Sequence, residues 1–219
     1  MDSTTLPLST FCPLSRSPDH IKSSLVPSRL SDNMTGYADP EYWERRYAEK
    51  KDADEWLQTY TGVQQVLAPL GKGEVLVLGC GNSLLGEEMA LDGYRSVRSI
   101  DLSQAVITQM KARPVLPNLS YEVMDVRSLD YPASSFDLVI DKSTMDCLYC
   151  GAKADVSVMI AEAERVLRPG GCYVVISFGE PEERLGRLKE VQWEVRIERL
   201  EDEEGPHICH YCYLCCKPM

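Results

Sequence analysis

Val75-Leu76-Val77-Leu78-Gly79-Cys80-Gly81-Asn82-Ser83 is the stretch on which the reading of this chain turns. Four apolar residues in a row, two of them β-branched, predict a short strand buried on both faces. Gly79 and Gly81 then let the backbone turn tightly and approach a ligand with no Cβ in the way. Asn82 and Ser83 lead into a helix over Leu84–Leu91, whose free N–H groups suit a carboxylate. Asp92-Gly93 closes that helix. A strand, a glycine turn and a helix N-terminus in that order predict a nucleoside-type ligand beyond the carboxyl end of the strand.

The pattern repeats downstream as alternating strand and helix. Val97–Ile100 reads as a second strand ending at Asp101, about twenty residues past the glycines, where a carboxylate meets ribose hydroxyls. Ser103 caps a helix through Met110, halted by Pro114 and Pro117. Leu119, Tyr121 and Val123 alternate with polar positions as a strand does, and Phe136–Ile140 is a buried-type run. A helix is expected from about Asp155 to Leu167, stopped by Arg168-Pro169-Gly170-Gly171, followed by a strand over Tyr173–Phe178. Trp193–Leu200 and His207–Cys216 then form a hairpin around a turn at Glu201–Pro206. The sum is an α/β fold: an open, doubly wound, mostly parallel sheet with an antiparallel strand in a C-terminal hairpin. A nicotinamide-type G-x-G-x-x-G loop would need glycine at position 84, where Leu84 stands, so that pyrophosphate loop is incomplete.

Upstream, Asp39 caps a helix with Pro40 at its first position, which sets Trp43 and Tyr47 four apart on one face. A second helix covers Thr61–Leu70, with Pro69 and Gly71 at its end. Residues 1–36 are rich in Ser and Pro without a sustained apolar period, and are expected to be a disordered tail ahead of a single domain over 37–219. Arg16, Lys22 and Arg29 are offset by Asp2, Asp19 and Asp32, against the acid-poor composition of an organellar leader. No apolar run reaches the roughly 18 residues of a membrane span. The net charge of −11 disfavours free nucleic acid and favours a basic protein or a small molecule. Nine cysteines, an odd number, fit reduced thiols; a cytoplasmic monomer is expected, with a mitochondrial location as the alternative.

Together with Ser99-Ile100-Asp101-Leu102-Ser103, the segment from Met124 to Asp146 and Val166-Leu167-Arg168-Pro169-Gly170-Gly171, the glycine stretch strongly resembles the class I, seven-strand methyltransferases. With Glu41-Tyr42-Trp43-Glu44-Arg45-Arg46-Tyr47 and the Glu55-Trp56 pair it is similar to the branch of lysine methyltransferases acting on translation elongation factor 1-alpha, from about Tyr37 to Lys217. The resemblance implies a Rossmann-like sheet of seven strands and S-adenosyl-L-methionine as cofactor. It implies that Trp43, Tyr47 and Trp56 line the cofactor pocket, although aromatics at helical spacing also suit a plain core. It further implies Gly79 near the methionine part, Asp101 at the ribose, Asp125 and Val126 at the adenine, and Lys142 beside the cofactor; Gly81, Asn82 and Leu102 are expected to bind the cofactor with them.

A lysine acceptor, with a pKa of about 10.4 in water, must lose a proton before it can be methylated. Asp141 in Asp141-Lys142-Ser143-Thr144-Met145-Asp146 is the candidate to position the amine. Relatives read D-K-G-T-x-D there, so Ser143 departs from the pattern. The alternative reading of Asp141 and Asp146 is a loop acid and a helix cap. Two acidic clusters, Glu180-Pro181-Glu182-Glu183 and Glu201-Asp202-Glu203-Glu204, are expected on the rim that holds the cofactor, where they would attract a basic segment of a protein substrate. Methylation of a small molecule, of mitochondrial citrate synthase, or a scaffold without turnover remain open at this point. Cys209, Cys212, Cys215 and Cys216, with Cys147 and Cys150, invite a metal reading. Residues three apart in a strand point to opposite faces, so no metal is expected and the cysteines read as small buried hydrophobes.

Overall fold

The computed structural model describes residues 34–114, 116–201 and 209–219. Its centre is a seven-stranded sheet in the order β3-β2-β1-β4-β5-β7-β6. The strands are β1 (Glu74–Leu78), β2 (Ser96–Asp101), β3 (Leu119–Val123), β4 (Phe136–Lys142), β5 (Leu167–Ser177), β6 (Glu194–Glu201) and β7 (Cys209–Cys216). β1 to β5 pair in parallel, and the chain order reverses at β1, which lies between β2 and β4. β7 is antiparallel to both β5 and β6. The antiparallel strand therefore lies inside the sheet, with β6 outside it as the edge.

Among the described residues seven α-helices flank the sheet: α1 (Pro40–Glu49), α2 (Tyr60–Leu67), α3 (Leu85–Leu91), α4 (Gln104–Lys111), α5 (Thr144–Tyr149), α6 (Lys153–Val166) and α7 (Pro181–Leu188). Asp39 accepts the Glu41 N–H and Ser103 accepts the Val106 N–H, as capping residues do. The apolar residues divide between two cores. Val75, Val77, Val97, Ile140 and Ile176 meet α2, α3 and α4 on one face. Leu76, Leu78, Val139, Tyr173 and Val175 meet α6 and α7 on the other. A strand buried on both faces needs an apolar run, which residues 75–78 in β1, 138–140 in β4 and 172–176 in β5 supply.

Several expectations are revised. Leu167 opens β5 directly after α6, so Arg168-Pro169-Gly170-Gly171 lies inside the strand; the β4–β5 register jumps from Phe136↔Leu167 to Leu138↔Cys172, as a bulge requires. A 3-10 turn over Met34–Ala38 falls partly within the stretch read as tail, while residues 1–33 lie outside the described residues. α5 and α7 carry too short an apolar period to be read from sequence. In β7, Cys212 packs into the first core and Cys215 into the second, so the two point to opposite faces.

The β4–α5 joint shows what Asp141 meets. This residue is fully buried, and its carboxylate accepts the N–H groups of Thr144 (2.9 Å) and Met145 (3.1 Å) and the Tyr173 hydroxyl (2.9 Å). It caps α5 from within the sheet and is not among the residues that line the cleft at the strand ends. Asp146, in the same helix, binds Ser177 Oγ and forms a buried pair with Arg184 at 3.0 Å, which ties α5 to β5 and α7.

Two stability predictions follow from these joints. Arg184→Met strands the Asp146 carboxylate and should cost about 3–5 kcal/mol in urea unfolding, much of it recovered when Asp146 is also made apolar. Burial, partly opposed by the Met145 N–H and Tyr173 hydroxyl, pushes the Asp141 carboxyl up to about 7, against about 3.9 in an unfolded chain. The folded protein then holds that proton more tightly, so this group's contribution to stability falls as pH rises from about 4 through about 7. Asp141→Asn should therefore gain on the wild type across that window, by on the order of a few kcal/mol at most. Parallel stability–pH curves for the two proteins would contradict this.

Candidate active site

One cleft opens at the carboxyl ends of β1, β2 and β4, where the sheet order reverses. All eleven residues expected to meet a cofactor line it: Trp43, Tyr47, Trp56, Gly79, Gly81, Asn82, Asp101, Leu102, Asp125, Val126 and Lys142. Asp141 is absent from the lining, consistent with its place behind the wall.

The floor is the glycine turn. Gly79 and Gly81 have φ of +56° and +51°, a region that L side chains rarely adopt. Space forbids a side chain as well. A Cβ at Gly79 would sit 2.2 Å from Thr144 Oγ1, and one at Gly81 would sit 2.5 Å from the Tyr47 hydroxyl. Gly81 donates its N–H to Asp101 at 2.9 Å, and Ser103 donates to the other carboxylate oxygen at 2.9 Å. One acid thus joins the β1 turn to the end of β2. Asp101 is 7% exposed; burial pushes its carboxyl up, and the Ser103 and Gly81 N–H groups oppose that shift. At the next strand end Asp125 is gripped by Arg127, whose guanidinium lies 2.7 Å away and holds the carboxyl below its usual range. Asp125 and Val126 both remain part of the cleft wall.

The roof comes from the N-terminal elements. Trp43 stacks on Tyr47 with ring centroids 5.8 Å apart and meets Trp56 at 5.7 Å. The Arg46 guanidinium lies over both indoles, at 5.9 Å and 5.6 Å, and also binds Asp54 at 3.1 Å. Trp43 packs against the core and lines the cleft, so the two readings of the aromatic face are both true of it. Glu44 locks α1 down by accepting the Ser103 hydroxyl at 2.6 Å and the Ala105 N–H at 3.2 Å.

Glu55 supports the cleft wall, and sequence reasoning gave it no role. Its carboxylate accepts the Ser83 hydroxyl (2.8 Å), the Leu84 N–H and the Lys142 ammonium (2.6 Å). The helix N-terminus read as a ligand's carboxylate site is thus met by a carboxylate of the chain itself. Lys142 also donates to the Trp56 carbonyl at 3.1 Å, leaving its stem to line the cleft. The Glu55-Trp56 pair was visible in the sequence, but only its aromatic member carried a meaning. Tyr37, Ala38 and Pro40 also line the wall, and no cofactor motif marks them. Among the described residues no group of three or more His, Cys, Asp or Glu side chains is placed to hold a metal ion. No helix among them is long and apolar enough to cross a membrane.

The cleft fits S-adenosyl-L-methionine on its own geometry: a cradle that a Cβ would fill, a buried carboxylate at the second strand end, an acid and an apolar residue at the third, and an aromatic roof. Comparison with known proteins agrees. The methyltransferase domain family matches residues 76–175. EEF1A lysine methyltransferase 4 of Mus musculus is 30% identical over 205 residues, covering 87% of this chain and 80% of the relative. The Bos taurus protein of the same name is 35% identical, with 73% and 68% covered. The eEF1A lysine and N-terminal methyltransferase of Homo sapiens is 34% identical over 80% of this chain, which spans 27% of that longer protein. Among solved structures, the N-methyltransferase NodS from Bradyrhizobium japonicum, in complex with S-adenosyl-L-homocysteine, superposes with a TM-score of 0.64 at 16% identity, covering 81% of this chain and 99% of NodS. A S-adenosylmethionine-dependent methyltransferase from Methanosarcina mazei gives 0.60 at 22% identity, covering 71% and 97%; both show the shared fold. The glycine cradle, the strand order and these likenesses lead to one conclusion: the chain belongs to the S-adenosylmethionine-dependent methyltransferases, in the family of the EEF1A lysine methyltransferases.

Proposed function

We propose that this enzyme methylates the side-chain amine of a lysine in an elongation factor 1-alpha-like protein. The observation that carries the reading is likeness to proteins named for that substrate, extending over 87% of the chain and so beyond the cofactor half. In this reading Gly79 and Gly81 admit the methionine part of the cofactor, and Asp101 takes the ribose hydroxyls. Leu102, Asp125 and Val126 hold the adenine, while Asn82 and the Lys142 stem close the sides. Trp43, Tyr47 and Trp56 shield the site from water. When bound, the cofactor supplies an electrophilic methyl: the N–C bond forms as the C–S bond breaks, its electron pair stays on sulfur, and the amine proton passes to water.

The protein's part is alignment and desolvation. A lysine moved into a dry cleft loses its proton more easily than in water. Asp141 supplies no charge at the acceptor, since its oxygens are committed to α5 and Tyr173. Glu180, Glu182 and Glu183 surround the start of α7, directly after β5, on the rim that holds the cleft. β6 runs parallel to β5, so Glu201 ends on the same rim; Asp202, Glu203 and Glu204 lie outside the described residues. A basic substrate segment is the partner these acids suit, and the cytosol is the compartment we assign.

Labelled S-adenosylmethionine, the purified enzyme and lysate from cells lacking it provide the test. Transfer of label to a lysine of an elongation-factor-sized protein is expected. Label confined to small metabolites, or no transfer at all, would reject the proposal in favour of a small-molecule enzyme or a scaffold. Asp101→Ala should weaken cofactor binding by at least tenfold in calorimetry, from the loss of charge-assisted hydrogen bonds of about 1.5–3 kcal/mol. Gly79→Ala should abolish binding, because its methyl would fill the cradle.

A further inference from the structure

Gly79, Asp101 and Asp125 line the cleft at the strand ends. Ser143, Cys147 and Leu148 of the β4–α5 joint line it together with Tyr37 and Ala38, where α5 packs against the 3-10 turn. Most polar side chains near this joint are committed. Lys142 Nζ binds Glu55, Thr144 Oγ1 donates to the Leu78 carbonyl, and Asp141 binds α5 and Tyr173. The Cys147 thiol is pushed well above its ordinary range by burial, so it is neutral.

Ser143 differs. It is 4% exposed, and its hydroxyl has no hydrogen-bond partner. Of the buried side-chain polar atoms without a partner among the described residues, Ser143 Oγ alone belongs to a residue lining the cleft. Its backbone lies at φ +70°, ψ −1°, in the left-handed region that favours glycine. Glycine here would relieve the backbone and remove the stranded hydroxyl. A serine that is costly twice over, in the wall of the cleft, is the pattern of strain held at a functional position.

We infer that Ser143 Oγ accepts a hydrogen bond from the acceptor amine and so aims the nitrogen lone pair at the transferable methyl. The inference rests on the amine-methylation reading above. One χ1 step between staggered wells carries the hydroxyl to another corner of Cβ, at little cost for a serine. A neutral acceptor suits the task better than a carboxylate. It orients an N–H while favouring the ammonium form, which has no lone pair to offer, less than a full negative charge would.

Sinefungin tests this without an acceptor protein, because a carbon bearing an amine stands where S-adenosylmethionine has its methyl-sulfonium. S-adenosylhomocysteine, which lacks any group there, is the control. Ser143→Ala should weaken sinefungin about tenfold, as one hydrogen bond to a charged amine implies, and leave S-adenosylhomocysteine within about twofold. Ser143→Gly should show the same selective loss while its melting midpoint rises by about 2–4 °C through relief of the left-handed residue. A purely structural serine would move stability and leave the ratio of the two affinities unchanged. Equal loss for both ligands would assign the hydroxyl to their shared part, and no loss for either would remove it from the site; each result overturns the inference. Failure of label transfer to an elongation factor would count against the substrate reading and leave the sinefungin ratio standing as its own measurement.

Discussion

The bond from the Gly81 N–H to Asp101 is the joint on which the architecture of the site turns. It demands a backbone that an L side chain resists, a carboxylate at the end of the neighbouring strand, and parallel pairing that brings the two strand ends level. The second oxygen of Asp101 accepts from Ser103 and so orients the start of α4. Ser103 in turn donates to Glu44, which draws α1 and its aromatic face over the cleft. One buried carboxylate thereby links floor, side and roof. It is stable in that position because backbone N–H groups replace part of the water it has lost.

A second chain of contacts organises the opposite wall, and here charges serve the fold. Asp141, Asp146 and Arg184 are all buried, yet each carboxylate oxygen and the guanidinium find partners within the β4–α5–β5–α7 region. Such a network fixes geometry more than it adds stability, since the desolvation of the charges offsets much of their attraction. The short α5, capped from beneath by Asp141, is the consequence that matters for chemistry. It holds Ser143, Thr144, Cys147 and Leu148 against the cleft. Asp141 acts on that part of the cleft wall through this support.

Glu55 shows how a partner in the chain can stand where a ligand was expected. Helix N-termini attract carboxylates by free N–H groups and by the helix dipole, whatever the source of the carboxylate. Glu55 meets that demand and also neutralises Lys142, whose ammonium would otherwise be buried unpaired. The pair leaves the lysine stem, with no free charge, facing the cleft.

The sequence alone determined the fold class and nearly all of the cofactor wall. Alternation of short apolar strands with capped helices, glycines at the β1 turn and acids at successive strand ends are local signals, readable because backbone sterics and side-chain period act over a few residues. The eleven residues expected at the cofactor, most of them from the family resemblance, all line one cleft. Opposite burial of Cys212 and Cys215 was legible for the same reason. Tertiary structure alone decided which way an acid faces and what it meets. Asp141 is an acid at a strand end just as Asp101 is, but its oxygens turn to α5 and Tyr173. Glu55 reaches Lys142, 87 positions away in the chain. The insertion of β7 between β5 and β6 was equally hidden, because a hairpin's sequence specifies its own pairing and not the neighbour it joins. Local pattern encodes elements; the partners of buried polar groups depend on distant residues meeting at close range, and only the folded chain sets those distances.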